Sequence, residues 1–242
     1  MPAPGIAVVA GAGPGLGAGI ARRFAAAGLT VALVARNEAR LRLLAEEIAA
    51  AGGQAFAAPA DVRDEAGIAT LFAAIEAERG PIEAVAFNAG AQFRAPLLDT
   101  PVEMFEKVWR LGCLAGFIVG REAARVMAPR GRGSILFTGA TAARRGGAEF
   151  AAFAASKFGL RALAQSMARE FGPEGLHVAH IVIDGLIDSA AIRARFPDVA
   201  AGMPADGMLS PDAIGQAYVD LHHQPRSAWS FEIDLRPWSE RF

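Results

Sequence analysis

The amino-acid sequence predicts an α/β protein in which one parallel sheet is covered by helices on both faces. Short apolar runs of strand length alternate with longer alanine-rich stretches that carry apolar residues at helical spacing. This alternation continues along the chain without an internal repeat, a linker or a low-complexity break. The arrangement that fits both observations is a three-layer fold, helices on either side of a sheet, in a single domain over residues 1–242.

The individual elements follow from composition and spacing. Buried strands are expected at residues 6–10, 31–35, 54–59, 84–87, 134–138 and 178–183, and residues 229–235 are compatible with a final strand. Helices are expected at residues 17–28, 38–51, 65–79, 102–127 and 150–171. Ser210, Pro211 and Asp212 mark the start of a further helix, because serine caps a helix N-terminus and proline suits its first position.

The composition is typical of a globular chain and excludes several classes of partner. Of the 242 residues, 53% are hydrophobic and 20% charged, and the formal net charge is −1. No overall field therefore attracts nucleic acid or an anionic membrane. No run approaches about 18 uninterrupted apolar residues, and no basic segment precedes the first apolar run. Cys113 is the single cysteine, which fits a reducing compartment, so a cytoplasmic location is expected.

A glycine-rich segment follows the first predicted strand and opens the first helix. From Ala10 to Gly19 it reads AGAGPGLGAG, and two glycine registers fit, Gly13-x-Gly15-x-x-Ala18 and Gly11-x-x-x-Gly15-x-Gly17. Glycines let backbone N–H groups approach a pyrophosphate, and the helix N-terminus favours its negative charge. We therefore expect a Rossmann-type doubly wound sheet that binds a nicotinamide dinucleotide. The expected contacts come from Gly11, Gly13, Pro14, Gly15, Leu16 and Gly17.

The end of the second predicted strand indicates which dinucleotide is bound. NAD-specific sheets place an acidic residue there, whereas this chain has Ala35, followed by Arg36 and Asn37. A guanidinium suits a 2′-phosphate, so NADP(H) is expected in preference to NAD(H). The alternative is that Arg36 is a solvated arginine beside a helix cap. After the third strand, Asp61 and Val62 stand where an adenine ring would lie, although an aspartate there also fits a helix cap or a turn.

With the second glycine register, essentially the whole chain resembles the short-chain dehydrogenase/reductase superfamily. The motifs that carry the resemblance are Asp61-Val62, Asn88-Ala89-Gly90, Ala155-Ser156-Lys157 and Gly185-Leu186-Ile187-Asp188-Ser189. The resemblance implies an NADP(H)-dependent oxidoreductase in which Lys157 binds the nicotinamide ribose. It also implies that Asn88, Ala89 and Gly90 stabilise the sheet beneath the cofactor and that Ile187 and Ser189 contact the carboxamide.

Three of the four residues that the family uses for catalysis are replaced. The family's tyrosine, which exchanges a proton with the substrate, stands four positions before the lysine, where this chain has Phe153. Ala140 stands at the position of the family's serine, and Gly112 at that of its asparagine. Thr138 or Thr141 could supply a hydroxyl, although both are expected to be strand-end residues bonded to the backbone. The only tyrosine, Tyr218, is expected to pack a late helix.

Basic residues follow two of the predicted strands near the expected cleft. Arg144 and Arg145 either receive an anionic substrate or form part of a solvated loop, and Arg94 has the same two interpretations. His177 and His180 are expected to be structural, while His222 and His223 are placed in a polar C-terminal segment. No histidine, cysteine or carboxylate group has metal-ligand spacing, so no metal site is expected.

Two functions of different classes remain open. The first is an oxidoreductase that transfers hydride from NADPH to a small-molecule substrate, with the proton supplied by Thr141, a water or the substrate itself. The second is a catalytically inactive nucleotide-binding regulator or structural subunit. Lys157 favours the first, because a lysine that orients the nicotinamide is of little use to a protein that never reacts the ring. The replacements at Phe153, Ala140 and Gly112 favour the second.

The predicted helices at residues 102–127 and 150–171 are also candidates for an assembly surface. Relatives assemble through the corresponding helices, and a homodimer or homotetramer is therefore expected. The apolar residues concerned are Phe105, Val108, Leu111, Phe117, Phe158, Leu160, Leu163 and Met167, which core packing could equally claim. Residues 190–207, punctuated by proline and glycine, are where substrate specificity is expected and where relatives carry a mobile lid.

Overall fold

The computed structural model describes residues 5–240, so residues 1–4 and 241–242 of the predicted domain lie outside the described residues. The described part forms one domain around a seven-stranded sheet in which every paired strand is parallel. The strands are β1 (Ile6–Ala10), β2 (Thr30–Val34), β3 (Gln54–Ala57), β4 (Ile82–Phe87), β5 (Gly133–Thr138), β6 (Leu176–Ile183) and β7 (Glu232–Leu235). Their order across the sheet is β3-β2-β1-β4-β5-β6-β7. The predicted doubly wound parallel sheet is confirmed.

Helices cover both faces of this sheet. They are α1 (Leu16–Ala26), α2 (Glu38–Ala50), α3 (Glu65–Glu78), α4 (Val102–Trp109), α5 (Ala115–Met127), α6 (Ala151–Phe171), α7 (Ala190–Arg195), α8 (Pro197–Gly202) and α9 (Pro211–His222). The predicted start of the last helix is confirmed, because the Ser210 hydroxyl accepts a hydrogen bond from the N–H of Ala213 and Pro211 occupies the first turn. No helix within residues 5–240 combines the length and the apolar character needed to cross a bilayer.

Alternating side chains of the central strands enter two separate cores. In β1, Ile6, Val8 and Ala10 face the core beneath α3, α5 and α6. Ala7 and Val9 face the other core, beneath α1, α2 and α9. All five residues of β1 are buried, which is why the strand reads as a continuous apolar run rather than an alternating one.

One predicted helix contains an irregular turn. The helix expected at residues 102–127 is present, but α4 and α5 are joined without a break by a π-helical turn at Arg110–Leu114. A π turn adds one residue to the helical turn, and Gly112 within it packs against α6. A Cβ at Gly112 would collide with the Ser156 hydroxyl. Helical spacing of apolar residues does not reveal such an insertion.

Smaller corrections concern element ends and one loop. The strands predicted at residues 31–35, 54–59 and 229–235 end or begin a few residues differently, as element ends usually do. The segment 190–207, where substrate specificity is expected, contains the short helices α7 and α8, which were not predicted. His222 was placed in a polar segment and instead ends α9, with its Nδ1 atom 2.7 Å from the Ser134 hydroxyl.

The order of the strands determines where a ligand can bind. β1 lies between β2 and β4, so the helices that follow β1 and β4 leave towards opposite faces and open a crevice at the carboxyl ends of these strands. The N–H of Gly11 donates to the carbonyl of Val34 at 2.9 Å, and the N–H of Asn88 donates to the carbonyl of Ala10 at 2.7 Å. These bonds hold the ends of the three strands together at the crevice.

Tyr218 packs α9 against the sheet, as predicted, and it also bonds to the end of β5. Its side chain is fully buried, and its hydroxyl lies 2.6 Å from the Thr138 hydroxyl. Burial raises the pKa of Tyr218, so the phenol stays neutral. Tyr218→Phe is expected to lower the free energy of unfolding by about 1 kcal/mol, because the buried Thr138 hydroxyl loses its partner.

Urea unfolding of the variant measures this loss. The double variant Tyr218→Phe/Thr138→Val removes both partners and is expected to recover part of it, since no buried hydroxyl is then left unpaired. Equal stability of wild type and Tyr218→Phe would show that the bond contributes nothing.

Candidate cofactor and active site

The glycine loop after β1 has a backbone that only glycine adopts without strain at two positions. Gly11 has φ 99° and Gly15 has φ 113°, values in the region that disfavours other residues. A Cβ at Gly11 would lie 2.6 Å from the backbone nitrogen of Ala89. Leu16 and Gly17 form the first turn of α1, whose N–H groups have no partner within the helix. The loop therefore fits a pyrophosphate, with Gly13 and Pro14 on the same turn.

The residues predicted for the adenosine half lie at the ends of β2 and β3. Arg36 is exposed directly after β2, and its charge contributes to lowering the pKa of Asp61. The Asn37 side chain accepts the N–H of Arg40 at 3.1 Å and caps α2. Val62 is buried in the core beneath α3. Arg36 thus keeps an exposed guanidinium at the strand end, while Asn37 and Val62 shape the backbone around it.

Asp61 forms a turn of its own. Its carboxylate accepts the backbone N–H of Arg63 at 3.0 Å and pairs with the Arg63 guanidinium at 2.6 Å. The hydrogen bond from Arg63 is the main cause that lowers the pKa of Asp61 to about 2. Within the protein, Asp61 therefore has the contacts of a turn aspartate, which was one of the alternatives stated from the sequence. Its lowered pKa means that the carboxylate is ionised at neutral pH.

The residues after β4 connect the glycine loop to the cleft. The Asn88 side-chain amide donates to the carbonyl of Gly11 at 3.1 Å. Ala89 packs with its backbone against Gly11, and a Cβ at Gly90 would lie 3.6 Å from Lys157 Nζ. Asn88 therefore supports the glycine loop from the neighbouring strand, which is the supporting role that the resemblance implies.

A cleft of about 660 Å³ opens beside these residues at the carboxyl ends of the strands. It brings together many of the predicted site residues: Pro14, Gly15, Leu16, Asn88, Gly90, Ala140, Thr141, Phe153, Lys157, Ile187 and Ser189. Gly11, Gly13, Gly17, Arg36, Asn37, Asp61, Val62 and Ala89 do not line it. The first group of predicted residues thus shares one cleft, and the second group lies outside it.

Lys157 lies on α6 at the floor of the cleft. Its side chain is buried, and Nζ donates to the carbonyl of Thr138 at 2.7 Å. Burial lowers the pKa of the Lys157 ammonium to about 8, because an apolar surrounding disfavours the charged form. One N–H is used by Thr138, and the other two remain for a ligand.

Phe153 and Ala140 occupy the cleft wall around Lys157. The Phe153 ring centroid is 5.9 Å from Lys157 Nζ, one helical turn earlier on α6. Ala140 is in extended conformation after β5, at the start of a short 3₁₀ turn, Thr141–Ala143. Neither side chain carries a proton that can be exchanged. Lys157 is therefore the group at this wall that can give a proton to a bound carbonyl.

The two threonines near this wall are bonded by side chains, so the expected backbone partners are wrong. Thr138 bonds to Tyr218, as described above. Thr141 Oγ1 donates to a carboxylate oxygen of Asp184, directly after β6. The hydroxyl proton of Thr141 is consequently held by a carboxylate and is not directed at a substrate. The proton source suggested for Thr141 is not supported by this contact.

Asp184 has no role in the sequence-based predictions. It is buried beside Thr141, and its second carboxylate oxygen lies 3.9 Å from the Arg236 guanidinium. A charged residue directly after a fully buried eight-residue strand is the signal that would have identified it. Such a residue needs a partner, because burying an unpaired charge is costly.

Ser156 lies beside Gly112, the glycine of the π turn between α4 and α5. Its buried hydroxyl, on α6, donates a hydrogen bond to the carbonyl of Val108, on α4, at 3.3 Å. The same hydroxyl fills the space that a side chain at Gly112 would enter. An asparagine at position 112 would require Ser156 to move, so the two residues form a matched pair.

Two of the three loop arginines near the cleft are neutralised. Arg94 pairs with Glu149 at 2.5 Å, and Arg144 pairs with Asp234 at 2.6 Å. Arg145 is exposed, lines the cleft and has no ion-pair partner among residues 5–240. Arg144 and Arg145 therefore differ in whether a carboxylate neutralises them, a difference that the sequence of the loop does not show.

The histidines predicted to be structural are confirmed in that role. His177 stacks on Trp229 and lies within 3.0 Å of two backbone carbonyls. Burial lowers the pKa of His180 to about 4, and its Nδ1 atom lies 3.0 Å from Glu232. Neither residue lines the cleft. Within the described range, no three histidine, cysteine or carboxylate residues form a group that could hold a metal ion.

The loop after β6 closes one side of the cleft. Ile187 forms an isolated bridge with Leu209, and the Ser189 hydroxyl caps α7 by accepting the N–H of Ile192 at 3.3 Å. The Ser189 side chain also lies against Gly15, 3.4 Å from the position of a Cβ there. Ser189 therefore contacts the glycine loop, and Ile187 lines the cleft beside it, on the side where the contact with the carboxamide is expected.

The fold and this cleft are those of an oxidoreductase that binds a nicotinamide cofactor. The sequence model of the short chain dehydrogenase family matches residues 5–199. The chain belongs to this family, and the resemblance stated from the motifs is confirmed.

Relatives of known sequence and structure agree with this assignment. A short-chain dehydrogenase from Rhodopseudomonas palustris is 45% identical, with 96% of this chain and 98% of that chain covered and a TM-score of 0.82. A metagenomic short-chain oxidoreductase in complex with NADP is 28% identical, with 97% of each chain covered and a TM-score of 0.83. The 3-oxoacyl-(acyl-carrier-protein) reductase MabA of Mycobacterium tuberculosis is 33% identical over 211 residues, which cover 86% of this chain and 81% of that protein.

Proposed function

We propose that the protein is an NADP(H)-dependent oxidoreductase that reduces the carbonyl group of a small molecule, with Lys157 as the proton donor. The observation that carries this proposal is the buried ammonium at the cleft floor, which keeps two N–H groups free beside a wall formed by Phe153 and Ala140. Arg145 is the other cationic group of the cleft, and a guanidinium does not give up its proton in proteins.

NADPH, when bound, supplies a hydride to the carbonyl carbon. The residues of the chain then have three tasks. The glycine loop and α1 hold the pyrophosphate, and Ile187 and Ser189 orient the ring. Lys157 donates a proton from Nζ to the carbonyl oxygen and becomes a neutral amine, still held by the carbonyl of Thr138. Because the pKa of Lys157 is about 8, the amine regains its proton readily from neutral solvent.

The preference for NADP(H) over NAD(H) rests on Arg36. Its exposed guanidinium follows β2 where an acidic residue would receive the ribose of NAD, and a 2′-phosphate is a suitable anionic partner for it. The NADP-bound metagenomic relative supports the same preference.

Arg36→Leu is expected to weaken NADPH binding at least about tenfold, because a charge-assisted contact to the 2′-phosphate is lost. NADH binding is expected to stay unchanged. Calorimetric titration of both nucleotides measures this. The matched control is Arg132→Leu, which removes an arginine paired with Glu83 at the opposite end of the sheet. Equal weakening of NADPH and NADH binding in Arg36→Leu would refute the 2′-phosphate contact.

A catalytically inactive nucleotide-binding regulator or structural subunit is the second candidate. Gly112 favours it, because the residue at this position has no side chain to take the part of the asparagine that relatives use, and the Ser156 hydroxyl occupies the space beside it. A screen of small ketones, aldehydes and oxo acids with NADPH distinguishes the two candidates. Turnover of any of these compounds at ordinary rates excludes the regulator, whereas tight NADPH binding without turnover supports it.

We also propose that copies of the chain assemble through α4, α5 and α6, the helices within residues 102–127 and 150–171. Phe105, Phe117 and Phe158 are each at least 38% exposed, and Val102 is 83% exposed. Val108, Leu160 and Met167 are buried within the chain and belong to its core, so these three are not part of the proposed assembly surface. A homodimer or homotetramer is expected in size-exclusion chromatography with light scattering, and a single peak at 25.2 kDa would contradict it.

We propose a cytoplasmic location for the protein, because the free thiol of Cys113 fits a reducing compartment.

A further inference from the structure

The charges that line the cleft are all of one sign. Arg145 and Lys157 are the charged residues among the cleft-lining residues of the described chain, and no aspartate or glutamate lines it. Lys157 lies at the floor, whereas Arg145 is exposed in the loop after the 3₁₀ turn that follows β5. A cleft lined by one sign of charge attracts ligands of the opposite sign.

The position of Arg145 is held by the backbone. Its N–H donates to the carbonyl of Thr141 at 3.1 Å, so the residue follows directly from the cleft wall. Gly146 and Gly147, which come next, also line the cleft. The neighbouring Arg144 points to Asp234, at 2.6 Å from Nη1. One arginine of the pair is therefore held by a carboxylate of β7, and the other lines the cleft without an ion-pair partner among the described residues.

The remaining walls limit the kind of anion that fits. Phe150, Phe153, Leu186 and Ile192 contribute apolar surface to the cleft. An arginine binds a carboxylate through two parallel N–H···O bonds. One negative charge pairs with the Arg145 guanidinium. The Lys157 ammonium is assigned to the carbonyl oxygen in the proposed function, so a second negative charge would have no cation left to pair with against the apolar walls. The lining thus matches a monoanion with an apolar body.

We propose that the substrate is an oxo monocarboxylic acid with an apolar body, whose carboxylate pairs with Arg145 while its carbonyl oxygen meets Lys157. The carbonyl part of this inference rests on the proposed reductase function. The carboxylate part rests on Arg145 and the cleft lining alone. No other loop arginine near the cleft takes part, since Arg94 and Arg144 are paired with Glu149 and Asp234.

Binding without turnover tests the two parts separately. The protein is first titrated with NADP⁺, which reports on the cofactor half of the crevice. Phenylglyoxylate and its uncharged methyl ester are then titrated into the protein with and without NADP⁺, in which no hydride is available. Wild type is compared with Arg145→Gln and with the control Arg144→Gln, which removes the same charge one residue earlier.

The expected result is that Arg145→Gln weakens phenylglyoxylate binding by about tenfold or more and leaves binding of the ester unchanged. Arg144→Gln is expected to bind phenylglyoxylate as wild type does. Equal binding of acid and ester to wild type, equal loss in both variants, or no binding of the acid to wild type would overturn the inference. Failure of NADP⁺ to bind, with Arg145-dependent binding of the acid intact, would instead overturn the reductase proposal and leave the carboxylate site standing.

Discussion

Lys157→Met is expected to slow carbonyl reduction by about 10²–10⁴-fold, the contribution of a positioned general acid. The substitution removes the one group of the cleft that can release a proton near neutral pH. Methionine is unbranched and fills a similar space without a charge. Because the ammonium of Lys157 is buried at a cost, the variant is expected to fold at least as well as wild type. Single-turnover oxidation of NADPH with excess phenylglyoxylate measures the effect.

Lys107→Met is the matched control for this variant. Lys107 is the other lysine of the chain, and it lies exposed on α4, paired with Glu103 at 2.6 Å. The control is expected to react at the wild-type rate. A Lys157→Met protein that binds NADPH and keeps the wild-type rate would show that the proton comes from elsewhere, from water or from the substrate.

The double variant Phe153→Tyr/Ala140→Ser is expected to gain activity towards simple ketones by about 10²-fold or more, because it adds both a proton donor and a hydrogen-bond donor to the cleft wall. Both positions line the cleft, so the added oxygens enter open space. Phe153 lies over Lys157 Nζ, and the neighbouring ammonium would lower the pKa of a phenol placed there.

Phe150→Tyr is the control for this gain. Phe150 lines the same cleft but packs against the Arg94 guanidinium, and it stands three residues further from Lys157 in the chain than Phe153 does. It therefore adds an equal hydroxyl without placing it beside the ammonium and is expected to gain no activity. A double variant that is no more active than wild type towards ketones, with NADPH binding retained, would mean that more than these two hydroxyls is missing. Gly112 and its packing against Ser156 are then the first place to look.

The fold was predictable because its signals are local and repeated. β1 and β6 read as apolar runs since both faces of a parallel sheet are buried, and the glycine loop marks the crevice wherever it follows such a strand. The π turn at Arg110–Leu114 was not predictable. It depends on contact between Gly112 and Ser156, which are far apart in sequence and meet only when α6 packs against the preceding helices.

Part of the cleft lining was predictable from the sequence, but the side-chain pairs around the cleft were not. Residue spacing from Lys157 identifies Phe153, and the strand ends identify Arg36 and Asn88. The partners of Thr141 and Arg144 are residues after β6 and in β7, and they reach the loop after β5 only once the sheet has formed. Which of two adjacent arginines is neutralised is decided by a carboxylate on another strand. No pattern within the loop carries that information.

The pH dependence of hydride transfer tests the central claim most directly. The pKa of Lys157 is lowered by burial to about 8, so the ammonium is present below this pH and is replaced by the neutral amine above it. A single-turnover rate constant measured by NADPH absorbance is therefore expected to stay level through neutral pH and to fall about tenfold per pH unit above pH 8. A rate constant that is independent of pH across this range, or one that rises with pH, would contradict the assignment of Lys157 as the proton donor.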